Sequence, residues 1–373
     1  MKFNSIFYSI LLICLINCSS SDDNETTTNG DPNMMKNMMF IGGNKMYYAF
    51  DSGNGILKWS FPVTSGTFQY STAFISNKVL YVGCTDSYLY ALDVNNGSLL
   101  WKYKTNQAIE SSVFVYNNTV FFGSDDDNFY ALNATTGELK WKYTTGFNVS
   151  SSPIVSGEIV YFGSDDGNIY ALDQSSGNLK WKYYVGDLFN SSSASIVQNN
   201  LYIGNRNGGI YNINKLTGEL IWKKQLGSSI EFSSPTILDG YLYTTDQYAL
   251  YKIDALTGNI VWQTSSSGAY SSSPYVNENS VYVNSSSGNI IAVDKQTGNI
   301  KWQKTIYSNS AEAVATNSTV FVGGGGSNFI YAFSESDGTE RWKYPINSTV
   351  TSAPVIINRD GKICYPSKSG GRD

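Results

Sequence analysis

Apolar and polar residues alternate with period two in short runs along this chain, and the runs recur about every 40 residues. The best-formed unit reads SSSPIVSGEIVYFGSDDGNIYALDQSSGNLKWKY, from Ser150 to Tyr183. Its alternation predicts four strands: Ser152 to Val155, Glu158 to Gly163, Asn168 to Leu172 and Asn178 to Tyr183. Each is bounded by Gly, Ser, Asp or Asn, the residues that turn a chain cheaply. Four short antiparallel strands in such a length is the size of one propeller blade, so the expected class is all-β.

Some positions are nearly fixed from unit to unit. All eight tryptophans, Trp59, Trp101, Trp141, Trp181, Trp222, Trp262, Trp302 and Trp342, fall one per repeat at spacings of 42, 40, 40, 41, 40, 40 and 40 residues. A residue so large, used at one phase only, must solve the same packing problem eight times. Four residues before each stands a glycine, from Gly55 and Gly97 to Gly338, as expected where a turn needs positive φ. Ten residues before, six units place alanine, for instance Ala91 and Ala171, small enough to leave room for a ring. A tyrosine precedes that position in seven units. Two residues after it, five units place aspartate, including Asp51, Asp173 and Asp294, suited to accept N–H groups of the next turn.

Set end to end, these positions read A-x-D-x-x-x-G-x-x-x-W, which resembles the tryptophan-docking repeat of the quinoprotein-dehydrogenase-like propellers. The resemblance runs from Met39 to the C-terminus, and it implies that each indole inserts between adjacent blades. Burying one indole removes roughly 150–250 Å² from water, an upper limit of about 4–6 kcal/mol. The chain opens its repeats with MMFIGGNKMYYAFDSGNGILKW, the latter strands of a unit, and ends with TSAPVIINRDGKICYPSKSGG, the first ones. Together they predict an eight-bladed β-propeller over residues 38–373, its last blade closed by both termini. A seven-bladed ring of the WD type is the alternative, although no Trp-Asp dipeptide occurs. Closure removes the open sheet edges.

Composition then narrows the chemistry. Aromatics are 14% of the 373 residues, with 28 Tyr against 8 Pro, which suits pleated strands. The net charge is −5, and Lys and Arg are scattered rather than clustered, so nucleic acid is not an expected partner. There is no histidine. Its absence removes Ser/His/Asp and Cys/His nucleophile systems and imidazole-ligated metals, leaving carboxylate chemistry and oxygen-ligated calcium. Four cysteines, Cys14, Cys18, Cys84 and Cys364, make neither a disulfide framework nor a CxxC pair. Cys84 and Cys364 fall in neighbouring repeats of a closed ring but at phases three residues apart, so two separate buried thiols are expected rather than a bridge.

The N-terminus is of a different kind. MKFNSIFYSILLICLINC carries a lysine at position 2 and an apolar core from Ile6 to Ile16, too short to span a bilayer. Leu15 to Cys18 resembles a bacterial lipobox, with Asn17 departing from the usual Gly, Ala or Ser. The resemblance implies that residues 1–18 are a lipoprotein signal peptide and that Cys18 is lipidated; a plain secretory signal cut elsewhere is the alternative. Residues 19–37 read as a polar tether that cannot bury enough apolar surface to fold. Its Asp22, Asp23 and Glu25 resemble the surface-export signal of Bacteroidetes lipoproteins. The expected location is therefore the outer membrane, held by the lipid anchor only and facing the periplasm or the cell surface.

Candidate sites are few. The hairpin turns SDDDN and SDDGN, with Asp125, Asp126, Asp127, Asp165 and Asp166, are read as turn signals rather than calcium loops, since the spaced ligands and distal glutamate of an EF-hand are missing. The strand opening each unit, marked by SSP around Ser151, Ser234 and Ser272, is innermost in the resembling family and is expected to line the channel. Two units carry glutamate there, Glu110 and Glu312, two phases apart and hence on one face of the pleat, as candidates for a polar channel site. Dehydrogenases of the resembling family hold pyrroloquinoline quinone (PQQ) over calcium, with a catalytic aspartate and often a disulfide between adjacent cysteines. This chain has no Cys-Cys pair and none of the long insertions that build those sites. Fold does not transfer function. The expected function is a non-enzymatic, monomeric, lipid-anchored propeller resembling the BamB-type lipoproteins, which binds envelope proteins or glycans through its loops, uses no cofactor and has no catalytic residues. The alternative is a PQQ-dependent dehydrogenase of alcohols or sugars.

Overall fold

The computed structural model describes residues 35–366, except 190–191, 231–232, 266–267, 309–310, 347–348 and 351, together with the backbone of Cys18–Ser19. The expected signal peptide, and the expected tether as far as residue 34, otherwise lie outside the described residues. The side chain of Cys18 lies outside them too.

Eight antiparallel sheets form, and among the described residues there is no helix. The seven-bladed alternative therefore fails. Seven sheets are each built of four consecutive strands, numbered here as blades one to seven from the unit that begins at Phe74. Blade three consists of Ile154–Ser156, Ile159–Ser164, Asn168–Asp173 and Leu179–Tyr184. Its first strand starts two residues later than the alternation predicts. Pro153 has no N–H to give a ladder, and the Ser152 N–H is drawn away to the Ser193 hydroxyl of the next blade at 2.9 Å.

Blade eight closes the ring. From the outer edge inward it runs Leu57–Thr67, Asn44–Asp51, Met38–Gly42 and Val355–Ile357, with Phe40 opposite Val355 and Met38 opposite Ile357. The C-terminal segment was expected to supply the first strands of this blade, and it supplies only one. Met38–Gly42 already fills the second place, so Ile363–Cys364 doubles back on the inner side of Val355–Ile357, with Cys364 opposite Ile356. Asn358 makes the reversal, its side-chain oxygen accepting the N–H groups of Asp360 and Lys362. The backbone of Cys18–Ser19 pairs in turn with Ile363–Cys364.

Each indole sits at the seam between two blades. Its cross-strand partner is the small residue ten positions earlier, as in Ala91 opposite Trp101 and Ala171 opposite Trp181. Asn212 and Lys252 take that place in blades four and five. The indole Nε1 donates to a carbonyl of the next blade in all eight cases, from Trp181 to Lys215 O at 2.9 Å up to Trp342 to Ser52 O at 3.2 Å. The conserved-phase glycine of that next blade lies flat against the ring. These eight glycines have φ between 70° and 77°, and a Cβ on any of them would come within 2.5–3.1 Å of the indole. Glycine is thus required twice over, for the turn and for the contact. The aspartates expected to accept turn N–H groups do so: Asp93 Oδ1 takes Asn95 N at 2.8 Å, and Asn133 and Asn214 act alike.

The cysteines differ from each other. Cys84 is a buried free thiol, and burial pushes its ionisation well up. Cys364 is buried but disulfide-bonded, so the expectation of two separate thiols holds for Cys84 alone. The pairing of Ile363–Cys364 on the inner edge, which the repeat phase did not foresee, takes Cys364 out of the register from which that expectation was drawn.

Candidate functional site

The first strands of successive blades contact one another around the axis, so they line the channel. An innermost strand has a free edge, and its N–H groups need partners that no further strand supplies. The two serines of the SSP segments, and the residues at their positions in other units, supply acceptors, the first within its blade and the second across the seam. The first serine turns back into its own blade, where its hydroxyl accepts the N–H of the second strand: Gly83 to Ser71 at 3.0 Å, Gly123 to Ser111 at 2.9 Å, Asn284 to Ser272 at 3.0 Å and Gly42 to Ser352 at 2.8 Å. The second reaches across the seam. Thr72 N donates to Ser112 Oγ, Ser112 N to Ser152 Oγ, Ser152 N to Ser193 Oγ, Ser193 N to Ser234 Oγ and Ser234 N to Ser273 Oγ, all at 2.8–3.0 Å. A belt of hydroxyls thus ties six blades at the channel wall. The recurring SSP was the signal for it, but its partner, an amide 40 residues earlier, was not legible without the ring.

Glu312 takes the belt position in blade seven and is 1% exposed, whereas Glu110 is half-buried at the entry to blade two. The two are three blades apart around the ring, and the structure does not bring them together. Glu110 instead joins Asp125 and Asp165. Burial, reinforced by Asp165, pushes the Glu110 carboxyl above the usual range. Burial, then Glu110, Asp165, Asp126 and Asp127, push Asp125 up to about 7. This cluster joins residues of two blades, so a linear reading of the hairpins could not assemble it.

The other hairpin aspartates are structural clamps. Asp166 Oδ2 accepts the Tyr170 hydroxyl at 2.5 Å and the Gly146 N–H, at 2.9 Å, of the loop that enters the blade. Asp126 holds Tyr130 and Asn106 in the same way, at 2.6 and 3.0 Å. Asp86 and Asp246 likewise accept Tyr90 and Tyr251. These pairs engage four of the seven recurring tyrosines.

The C-terminal segment lies on the inner side of the innermost strands of blades eight and one. Tyr365, following Ile363–Cys364, packs against Phe74 with ring centroids 5.2 Å apart and the rings tilted by 34°. Its hydroxyl donates to Ile75 O at 2.9 Å and accepts Ile75 N at 3.1 Å, on the innermost strand of blade one. The belt hydroxyls are turned to neighbouring amides, and among the described residues no three Asp, Glu or Cys side chains are grouped to hold a metal ion.

Five aromatic side chains stand more than half exposed at the end of the ring that carries the hairpins and the blade-to-blade loops: Tyr70, Phe147, Tyr184, Tyr248 and Tyr307. The opposite end exposes Ile56, Leu216 and Leu256 on its turns.

The PQQ_2 family model, described as outer membrane protein assembly factor BamB, matches residues 23–113, 42–200, 86–234 and 206–371. No curated protein matches the chain. Among solved structures, BamB from Moraxella catarrhalis is similar with a TM-score of 0.68 and 19% identity, over 79% of this chain and 95% of that one. A quinohemoprotein alcohol dehydrogenase from Pseudomonas putida HK5 is similar with a TM-score of 0.69 and 17% identity, over 86% of this chain and 71% of that one. The dihydro-heme d1 dehydrogenase NirN gives 0.75 and 14%, over 90% and 78%. At such identities these likenesses show the fold alone.

Proposed function

The chain belongs to the PQQ_2 family, described as outer membrane protein assembly factor BamB, and from that membership we propose that it is a non-enzymatic binding scaffold of the cell envelope. Lipidation of Cys18, in a form of the protein whose Cys18 thiol is not engaged in a disulfide, tethers it to the outer membrane, and its ring of loops engages envelope proteins in a BamB-like manner, supporting outer-membrane protein assembly. No cofactor takes part. The observation that carries this reading is the channel. Its free strand edge is satisfied by the chain's own hydroxyls and by Ile363–Tyr365, so the place where a quinone-dependent relative would work is given over to holding the ring. The five exposed aromatics at the loop end supply what an interface core needs, large rigid surface with a polar tip.

Two experiments test the reading. Purified protein given PQQ and calcium is expected to reduce no dye with alcohols or sugars, and reproducible turnover would replace the scaffold with the dehydrogenase. Crosslinking on intact cells is expected to recover envelope proteins through the loop end, and to lose them when Tyr184 and Tyr248 are changed to serine. Capture that is unaffected by those changes would remove the loop end from the proposal. Separately, Cys18→Ser should leave the membrane fraction while remaining folded; retention in the membrane would sink the lipid anchor.

A further inference from the structure

We infer that the seam between blades seven and eight holds a binding site for a small oxyanion, a phosphate or carboxylate group, gripped by Arg341 and Arg359. This goes beyond the scaffold reading and lies at the opposite end of the ring from the exposed aromatics. A cleft of about 180 Å³ opens there, lined by Asn37, Ser52, Asn317, Thr319, Trp342 and the two arginines. A single water needs roughly 10–15 Å³ of such space, so the cleft has room for a polyatomic ion. The chain has only four arginines and a net charge of −5, yet two of the four line this one cleft.

A sister blade shows what is unusual. In blade two, Phe121 and Trp141 pack with ring centroids 5.9 Å apart, and Lys140, beside the tryptophan, fills the corresponding corner. Its Nζ donates to Thr119 Oγ1 at 2.6 Å and to Asn118 O at 3.2 Å. Blade seven repeats the frame: Phe321 and Trp342 are 6.0 Å apart, and Thr319 bonds back to Asn317 O at 3.3 Å as Thr119 does to Asn117 O at 3.2 Å. Arg341 stands where Lys140 does, but among the described residues it makes no hydrogen bond or ion pair. The partner blade then brings a second guanidinium, Arg359. Among the described residues its one ion pair is with Asp360, 3.8 Å away, and both are well exposed, a pair of little strength.

Two like charges facing one cleft repel each other, and an anion between them reverses the sign of that interaction. Guanidinium groups are the side chains best shaped for it, since their planar N–H fork matches the oxygens of carboxylate and phosphate. The amides of Asn37 and Asn317 add neutral donors at the rim.

Isothermal titration of the full chain with inorganic phosphate, and separately with acetate, tests this, with sodium chloride at matched ionic strength as the baseline. Saturable binding of at least one oxyanion is expected, weakened tenfold or more by Arg341→Gln and by Arg359→Gln. Lys140→Gln, the equivalent change in blade two, should leave it unaltered. The two ions decide whether phosphate or carboxylate is the preferred group. Both arginines lie on exposed positions, and unchanged melting temperatures of the variants without added ion establish that they fold. Absence of saturable binding above the chloride baseline, or binding equal in wild type and both arginine variants, overturns the site.

Discussion

Trp342 and Ser52, 290 residues apart in the chain, are joined by a hydrogen bond of 3.2 Å from the indole Nε1 to the carbonyl oxygen. The same bond recurs at the other seven seams between residues only 33–35 apart. At Trp342 it closes the ring, because the glycine against which this indole lies, Gly55, belongs to the N-terminal part of blade eight. Trp342→Phe keeps a ring in the seam and loses the bond, so a loss of about 1 kcal/mol is expected. Trp342→Ala also empties the seam and should cost about 3–5 kcal/mol. Denaturant unfolding of the two variants, with Trp181→Ala as an internal-seam comparison, measures both.

Gly137 is the sharper probe of the same seam. Its φ is 74°, and a Cβ there would come within 2.7 Å of the Trp101 ring. Gly137→Ala must therefore strain the turn and displace the indole together, and a loss of more than about 1 kcal/mol is expected. Gly157→Ala supplies the contrast, since Gly157 has a φ of 61° and nothing within 4 Å of the added carbon. It should lower the denaturation midpoint less; equal losses would show that the indole contact adds nothing to the backbone strain.

The hydroxyl belt predicts a different signature. Ser152 is buried, and its Oγ accepts the N–H of Ser112 from the preceding blade at 3.0 Å. Ser152→Ala leaves that amide without an acceptor in a buried place, at about 1–3 kcal/mol. Ser152→Thr keeps a hydroxyl oxygen at the same position. Hydrogen exchange at the Ser112 amide should accelerate in the alanine variant and stay near wild type in the threonine variant.

Features set by one repeat were legible in the sequence, and features set by the ring were not. The tryptophan, the glycine four before it and the alanine ten before it sit within one unit, and the period displayed them eight times. The belt bond from Ser112 to Ser152 joins units, so SSP read alone looks only like a polar strand start. Glu110 and Glu312 were matched by phase, which says nothing about how many blades lie between them. The inner strand Ile363–Cys364 carries apolar residues like any second strand of the repeat. Only the prior claim of Met38–Gly42 on that place pushes it toward the axis.

The acidic cluster makes stability depend on pH in a stated direction. Asp125, at about 7 in the folded protein, is raised by burial and by Glu110, Asp165, Asp126 and Asp127, against an ordinary carboxyl value of 3.8. Between those values the folded state holds a proton that the unfolded state has released, so the unfolded state binds fewer protons and stability falls as pH rises. The contribution is fully present below about pH 4 and is lost as the pH passes through about 7. Glu110, raised by burial and Asp165, acts in the same sense. Asp125 is partly open to solvent, so after screening the effect on the whole fold is of order 1 kcal/mol. Asp125→Asn removes the group that must ionise beside its neighbours. Its melting temperature is expected to exceed that of wild type at pH 8, and to vary less between pH 5 and 8. If the wild-type and Asp125→Asn curves run parallel across that range, the charge at Asp125 is not what the cluster resists.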